Sequence, residues 1–133
     1  MNKTLTTVIL TKDESRHIAR AINSVSDITD HILVVDSGSS DDTVEIAAGL
    51  GARVISNPWR NYATQFNHAL ENLPDGTTWV LRLDADEVIS PELTKEIAEG
   101  IAKLGDETAG VYVSRRMSVL GRPIRWGGSF PIR

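Results

Sequence analysis

Short apolar segments rich in β-branched residues alternate with amphipathic segments along most of this chain, and this alternation constrains the fold more than any other feature. The apolar segments predict five strands, at residues 6–11, 32–35, 53–56, 79–83 and 111–114. Helical spacing or capping signals predict helices between them, at residues 15–25, 42–49, 61–73 and from 91 onward. Because strand–helix–strand connections form right-handed crossovers, the order predicts an α/β fold, a mostly parallel sheet flanked by helices.

Local signals refine the ends of these elements. Asp42-Thr43-Val44-Glu45 has the pattern of a capping box at the start of the second helix, which Gly49–Gly51 would end. Ser90-Pro91 predicts the start of the fourth helix. Beyond the fifth strand, Gly121 predicts a short hairpin between Ser118 and Trp126.

Composition excludes several classes of protein. The 133 residues contain no cysteine, which excludes a disulfide scaffold, a thiolate zinc site and a cysteine nucleophile. The net charge of −4 argues against a nucleic-acid partner, because phosphate binding needs a positive field. No apolar run is long enough to span a bilayer, and Met1–Thr7 lacks a signal-peptide core, so we expect a cytoplasmic protein.

Charge divides the chain unevenly. Residues 1–107 hold 9 basic and 18 acidic residues, whereas residues 108–133 hold five arginines and no acid. Two interpretations of the arginines stay open: contact with an anionic membrane face or a phosphorylated glycolipid, or a sheet edge that the rest of the protein covers.

The chain stops at Phe130–Arg133 without a helix end or a polar tail, so we expect a C-terminally truncated fold. Its uncovered apolar residues would favour self-association. They are Val111, Val113, Trp126 and Phe130.

Polar side chains follow four of the predicted strands. Because ligands of parallel α/β sheets bind beyond the carboxyl ends of the strands, these segments are the candidate site. They are Thr11–Glu14, Asp36–Asp42, Asn57–Arg60 and Asp84–Glu87.

The Asp84-Ala85-Asp86 triplet predicts a cation site. In an extended segment, residues two apart point the same way, so two carboxylates face one point and repel each other unless a cation lies between them. Oxygen ligands favour Mg²⁺ or Mn²⁺, which keeps positions for water and substrate phosphates. The alternative is a solvated acidic turn before a helix.

Two further positions are candidates for contacts with a ligand. Asp36 ends a buried strand, where its carboxylate needs a partner such as a base N–H or a ribose hydroxyl. The alternative is ordinary loop chemistry of Ser, Gly and Asp. Arg60 would reach a phosphate or sugar, or else be a solvated arginine before a helix. The nearby residues Asn61, Gln65 and Asn67 would also reach a phosphate or sugar.

Four blocks follow one another along the chain: Val8–Glu14, Val34–Thr43, Trp59–Asn67 and Trp79–Glu87. In this order they resemble family 2 glycosyltransferases of the GT-A fold, which is Rossmann-like. The resemblance is closest to bacterial enzymes that add sugars to the lipopolysaccharide core, similar to the β-glucosyltransferases of that pathway.

The resemblance implies a role for each matching residue. Thr11, Glu14 and Asp36 would hold the base and ribose of the nucleotide, and Arg60 would contact the donor. Asp84 would contact the ribose or a metal-bound water. Asp86 would ligate a divalent cation, Mn²⁺ or Mg²⁺, that bridges the diphosphate.

This chain departs from the family pattern at two positions. Asp13 stands where the family commonly has Asn, and Phe66 stands where a basic residue often precedes Asn67.

The resemblance also implies a reaction and its partners. Residues 1–107 would form the nucleotide-sugar (donor) domain, and residues 108–133 would begin the acceptor side. The enzyme would transfer a sugar, with inversion, from a nucleotide-diphosphate sugar (a UDP-sugar) to a hydroxyl of a glycan or glycolipid in lipopolysaccharide or cell-envelope synthesis. That activity implies work at the inner face of the plasma membrane. The catalytic base of such enzymes lies in the acceptor half, so we expect none among these residues.

Three other classes compete with this interpretation. A non-catalytic nucleotide-binding module would keep the sheet and its acids without transferring sugar. A nucleotidyltransferase needs a glycine-rich basic loop after the first strand, where this chain has Thr11–Glu14. A response-regulator phosphoacceptor needs an aspartate after the third strand, where this chain has Asn57-Pro58.

Overall fold

The computed structural model describes residues 3–105, 107–111, 118–119 and 122–123. The chain divides into two compact units, residues 1–103 and 104–133. The first unit alternates strands and helices as predicted. Its elements are β1 (Leu5–Thr11), α1 (Ile18–Val25), β2 (His31–Asp36), α2 (Thr43–Gly49), β3 (Arg53–Ser56), α3 (Tyr62–Glu71), β4 (Trp79–Arg82) and α4 (Pro91–Ile101).

The four strands form one parallel sheet in the order β3-β2-β1-β4. Thr11 at the end of β1 pairs in register with Asp36 at the end of β2, which pairs in turn with Ser56 at the end of β3. On the other side of β1, Val8 pairs with Arg82 at the end of β4. The predicted α/β class is therefore confirmed, and the loops after all four strands leave the same edge of the sheet.

Helices cover both faces of this sheet because alternate strand residues point to opposite faces. On one face, Ile9 and Val34 pack with the apolar sides of α1 and α2. On the other face, Val8 and Val35 pack with Ala69 of α3. These side chains are almost completely buried. Burial of each valine or isoleucine side chain contributes roughly 1.5–3 kcal/mol of transfer free energy. The two packed layers therefore hold in place the edge of the sheet that carries the loops.

The predicted capping box at α2 is wrong. The Asp42 side chain makes no capping hydrogen bond. Asp41 supplies the acceptor instead, and its Oδ1 accepts from the backbone N of Thr43 at 3.0 Å and from the Thr43 hydroxyl. The predicted glycine ending is confirmed by Gly51, whose φ is +92°.

Two other helix starts carry side-chain caps, of which only the one at Ser90 was predicted. The Asn61 side chain accepts from the backbone N of Thr64 at 2.8 Å. The Ser90 hydroxyl accepts from the backbone N of Leu93 at 3.1 Å, with Pro91 in the first helical position. Helix α1 begins at Ile18, later than the predicted residue 15, because the Glu14 carbonyl accepts from both His17 N and Ile18 N in a preceding turn.

The second unit contains a short antiparallel hairpin of β5 (Ser118–Val119) and β6 (Arg122–Pro123), which confirms the predicted one. Residues 112–114 of the strand predicted at 111–114 lie outside the described residues. Val111 is exposed and does not lie in a strand. Val113, Trp126 and Phe130 also lie outside the described residues. Across the described part of the chain, no helix combines the length and apolar character needed to cross a membrane.

Candidate functional site

The carboxylate of Asp36 accepts four hydrogen bonds at the carboxyl edge of the sheet. It lies at the end of β2 with only 3% of its surface exposed. Its Oδ1 accepts from the hydroxyls of Thr11 at 2.7 Å and Ser39 at 2.6 Å. Its Oδ2 accepts from the backbone N of Gly38 at 3.0 Å and of Ser39 at 2.8 Å. The structure therefore brings the predicted site residues Thr11 and Asp36 together by a direct hydrogen bond.

These four bonds set the charge state of Asp36. Burial raises the pKa of its carboxyl, but the hydrogen bonds from Ser39, Thr11 and Gly38 favour the ionised form and together lower the pKa below its ordinary value of 3.8. A fixed negative charge therefore stands at the end of β2 at neutral pH.

The loop after β1 contacts the loop after β2 along its whole length. The backbone N of Glu14 donates to the Thr43 hydroxyl at 2.8 Å, and the backbone N of Ser15 donates to Asp41 Oδ2 at 3.2 Å. Hydrogen bonds from the Thr43 side chain, and also from Ser15, lower the pKa of Asp41 to about 2. We name residues 11–15 and 36–43 the cradle, because these two loops form one hydrogen-bonded surface.

The Glu14 side chain lies where acids from three loops approach one another. It is half-buried, and burial raises the pKa of its carboxyl. The charge of Asp86 raises it further, and the charges of Asp41 and Asp84 add smaller increments, against an opposing effect of His17. Glu14 and the Asp84–Asp86 segment therefore share one region of negative potential, which favours a bound cation.

The Asp84-Ala85-Asp86 triplet directly follows β4. The backbone N of Leu83 donates to the Val8 carbonyl at 3.1 Å, which keeps this segment beside β1. Ala85 is buried, whereas Asp84 and Asp86 on either side of it are exposed. The segment is not extended, because the backbone N of Glu87 donates to the Asp84 carbonyl at 2.9 Å and closes a turn. The predicted extended geometry is therefore wrong, although both aspartates are exposed to solvent.

This segment suits an ion of the Mg²⁺ type. Among the described residues, no three His, Cys, Asp or Glu side chains are grouped so as to hold a metal. Such an ion is commonly held by only one or two carboxylates, with substrate phosphates and water completing its coordination. Two exposed carboxylates in a negative field therefore fit it, whereas they do not fit an ion that needs a closed protein cage.

Arg60 lies at the opposite flank of the same edge. It is exposed in the loop after β3, and β2 and β1 separate that strand from β4. Three strand spacings of about 4.8 Å put roughly 14 Å between the ends of β3 and β4. The structure thus places Arg60 on the same sheet edge but does not bring it to the carboxylates of Asp84 and Asp86.

Two neighbours of Arg60 are not available to a ligand in the way the sequence suggests. Gln65 is only 1% exposed, and its amide exchanges hydrogen bonds with Asn57 at 2.9 and 3.1 Å. Asn61 uses its side chain as the cap of α3. The expected contact of Gln65 with a phosphate or sugar is wrong because the side chain joins α3 to the end of β3. Asn67 is exposed on α3.

The sequence did not predict a role for some residues at this edge of the sheet. Ser39, Ser40 and Thr43 connect the two loops of the cradle, yet Ser and Thr in a loop give no signal of which partner they choose. Asp13 carries a signal that could have been used, because aspartate tolerates the left-handed conformation that a tight turn requires. Its φ is +53°.

Comparisons with known proteins agree with this geometry. The model of the family described as glycosyl transferase family 2 matches residues 6–130. An uncharacterized glycosyltransferase of Rickettsia conorii is 54% identical over 101 residues, which are 73% of this chain and 35% of that protein. The lipopolysaccharide core biosynthesis glycosyltransferase LpsC of Rhizobium meliloti is 33% identical over 122 residues, which are 88% of this chain and 44% of LpsC.

A solved structure supports the same assignment at the level of the fold. Glucosyl-3-phosphoglycerate synthase of Mycobacterium tuberculosis, in complex with Mn²⁺, UDP and glucosyl-3-phosphoglycerate, superposes with a TM-score of 0.55 at 28% identity. The match covers 63% of this chain and 34% of the synthase. The chain therefore spans between a third and a half of the length of these relatives. The predicted GT-A fold is confirmed, and the chain belongs to glycosyl transferase family 2.

Proposed function

We propose that the carboxyl edge of this sheet binds a nucleotide-diphosphate sugar, a UDP-sugar, and forms the donor half of an inverting glycosyltransferase. The observation that carries the proposal is the strand order. Because β2, β1 and β4 are parallel neighbours, the loops that hold Asp36, Glu14 and Asp86 leave adjacent strands at one edge. A ligand that crosses this edge passes all three loops.

In this proposal, Thr11, Glu14 and Asp36 bind the base and ribose of the donor. Asp36 already accepts four hydrogen bonds, so a ribose hydroxyl that donates to it must share an oxygen with one of them. The hydroxyl donors of Thr11 and Ser39 can rotate, whereas the backbone donors of Gly38 and Ser39 cannot. The shared oxygen is therefore Oδ1, and the backbone bonds to Oδ2 keep the carboxylate in place.

Asp86 and Asp84 are the residues that would hold the divalent cation, Mn²⁺ or Mg²⁺. When bound, such an ion offsets the negative charge that grows on the departing diphosphate. Burial is the main reason that the pKa of Glu14 is raised, and the charges of Asp86 and Asp84 raise it further. That added effect supports this assignment, because a cation would relieve the negative field of these carboxylates. Arg60, at the far flank, is the candidate for a contact with the donor through its guanidinium group.

In the reaction, an acceptor hydroxyl attacks the anomeric carbon of the sugar while the bond from that carbon to the diphosphate oxygen breaks. Attack from the face opposite the leaving group inverts the anomeric centre. The proton of the hydroxyl passes to a carboxylate base, a role that we assign to no described residue. The residues of this chain bind and orient the donor.

The acceptor is proposed to be a glycan or glycolipid of the lipopolysaccharide or cell envelope. The likeness to LpsC supports that class, since LpsC is named for lipopolysaccharide core biosynthesis. The five arginines of residues 108–133 would suit a phosphorylated acceptor or an anionic membrane face at the inner side of the plasma membrane.

Calorimetric titration of the chain with UDP, with and without Mn²⁺, tests the proposal. We expect binding that depends on Mn²⁺, and we expect Asp86→Ala to weaken it at least tenfold. Asp75→Asn is the matched control, because Asp75 is an exposed aspartate in the turn before β4, at the other edge of the sheet. If UDP binds equally well without Mn²⁺, or if Asp86→Ala behaves like the control, the metal assignment is wrong. Binding of UDP without sugar transfer by the full-length protein would favour the non-catalytic module.

A further inference from the structure

We propose that Asp13 is a positioning residue that holds the loop after β1 against the loop after β2, so that the cradle is already formed before the nucleotide arrives. The part of this inference that concerns the nucleotide rests on the proposed function. The part that concerns the loops rests on the backbone and side-chain contacts of Asp13 alone.

The backbone of Asp13 is the first observation. Among the described residues, Asp13 is the one non-glycine residue with a positive φ, at +53°. This left-handed conformation costs an ordinary residue on the order of 1–2 kcal/mol, and Asp and Asn tolerate it best. Such conformations persist where surrounding contacts determine them, and they are concentrated at functional sites.

The hydrogen bonds of Asp13 are the second observation, and they run in both directions between the loops. The backbone N of Asp13 donates to the Ser39 hydroxyl at 2.8 Å. In return, Asp13 Oδ1 accepts from the backbone N of Ser40 at 2.7 Å and from the Ser40 hydroxyl at 3.3 Å. The left-handed turn is what lets one residue present both its N–H and its carboxylate to consecutive residues of the other loop.

These contacts continue to the buried carboxylate of Asp36. The Ser39 hydroxyl that accepts from Asp13 N itself donates to Asp36 Oδ1 at 2.6 Å. The Thr11 hydroxyl donates to the same oxygen at 2.7 Å. The path from Asp13 through Ser39 and Asp36 to Thr11 therefore closes a ring with the main chain of residues 11–13. Asp36 is fixed from both loops, and Asp13 closes the ring.

The neighbouring ion pair does not account for this arrangement. Lys12 Nζ lies 3.7 Å from Asp13 Oδ2, with 54% and 42% of the two side chains exposed. An exposed pair of this kind contributes little to stability. Lys12 instead donates to the Gly38 carbonyl at 2.5 Å, which adds a contact between the same two loops.

A preformed cradle has a consequence for affinity. Loops that are ordered on folding do not have to be ordered on binding, so a larger share of the contact free energy appears as affinity. Loosening the bond between Asp13 and Ser40 should therefore weaken nucleotide binding, although Asp13 is assigned no contact with the nucleotide.

Three substitutions separate the backbone role of Asp13 from its side-chain role. Asp13→Asn keeps both the tolerance of positive φ and an acceptor oxygen for Ser40. Asp13→Gly keeps the conformation without cost but removes the acceptor. Asp13→Ala removes both, and Asp13→Gly keeps the test interpretable if the alanine variant does not fold. Asp75→Asn again serves as the control.

Two measurements follow on each variant: the exchange rate of the Ser40 backbone amide without ligand, and the dissociation constant for UDP with Mn²⁺. We expect Asp13→Gly and Asp13→Ala to exchange that amide on the order of tenfold faster and to bind UDP about tenfold more weakly, as for loss of a hydrogen bond to a charged group. We expect Asp13→Asn to remain within about twofold of the wild type in both, because a neutral amide oxygen still accepts from Ser40.

The outcomes distinguish this inference from the proposed function. Unchanged Ser40 exchange in Asp13→Gly overturns the claim that Asp13 holds the loops together. Faster exchange with unchanged UDP affinity overturns its role in positioning the nucleotide site. If the wild-type chain does not bind UDP while Asp13→Gly still speeds exchange, the proposed function and the nucleotide role fail, and the contact between the loops stands.

Discussion

Replacing Asp36 tests how much of the cradle depends on one buried carboxylate. Asp36→Ala deprives four donors of their acceptor: the hydroxyls of Thr11 and Ser39 and the backbone N–H groups of Gly38 and Ser39. The two hydroxyls can turn to other partners or to water. The two backbone donors are fixed, and each loses a bond to a charged group.

The expected magnitude follows from this count. A hydrogen bond to a charged group contributes about 1.5–3 kcal/mol, and removing the buried charge recovers some of its desolvation cost. Two fixed donors therefore predict that Asp36→Ala lowers the free energy of unfolding by about 3 kcal/mol. Asp36→Asn should cost only about 1 kcal/mol, because the amide oxygen can still accept from both backbone N–H groups while its NH₂ faces hydroxyls that can rotate to accept.

Urea unfolding followed by far-ultraviolet circular dichroism at pH 7 measures both values. The exposed Asp75 makes no comparable set of contacts among the described residues, so Asp75→Ala is the control. We expect it to change the free energy of unfolding by no more than about 0.5 kcal/mol, as is usual for surface substitutions. If Asp36→Ala is as stable as this control, or if Asp36→Asn lowers the free energy of unfolding as much as Asp36→Ala does, the carboxylate does not hold the two backbone donors in this way.

Four further predictions use the same unfolding measurement. Asp41→Ala should lower the unfolding midpoint more than Asp42→Ala, because Asp41 accepts from Thr43 and Ser15 whereas Asp42 makes no capping bond; equal effects would contradict the observed cap. Glu14→Gln should raise the free energy of unfolding at pH 7, because a raised folded pKa means that stability falls as the pH rises from the ordinary value of 4.5 through the folded value. The gain should vanish well below pH 4.5, where the carboxyl is protonated in both states, and a gain that persists there would exclude this cause. Gln65→Ala should cost about 2–3 kcal/mol, since it leaves the amide of Asn57 without its partner, and a cost under about 0.5 kcal/mol would contradict the buried pairing. Ile22→Ala should cost about 3 kcal/mol through the cavity it leaves, and a neutral result would mean that this face of the sheet is not packed.

Much of the fold could be predicted because apolar patterning is a local property of the sequence. The segments Ile32–Val35 and Thr6–Thr11 are apolar and β-branched enough to indicate buried strands, and their ends fix where the loops begin. The bounds predicted for α2 agree with the structure, but its capping box is wrong because Asp41 and Asp42 both fit a capping position. The choice between them depends on Thr43 and Ser15, and Ser15 belongs to a different loop.

The residues of the candidate site could also be predicted, but their hydrogen-bond partners could not. Asp36 at the end of a buried strand needs partners, and the sequence left open whether these come from a ligand or from the loop. In the structure the loop supplies three donors, and the end of β1 supplies the fourth, the hydroxyl of Thr11, which is 25 residues away in sequence. Gln65 illustrates the opposite error, because helical spacing gives no indication that an amide is buried against Asn57.

We propose above that the loops after β1 and β4 together receive a nucleotide diphosphate and a divalent cation. Paramagnetic broadening by Mn²⁺ of the backbone amide signals of the ¹⁵N-labelled chain, in the presence of UDP, tests it most directly. We expect selective broadening of residues 12–15 and 84–87, with little effect on the turn at residues 74–77 at the other edge of the sheet. Broadening centred on that turn, or none at residues 84–87 when UDP and Mn²⁺ are both in excess, would contradict it.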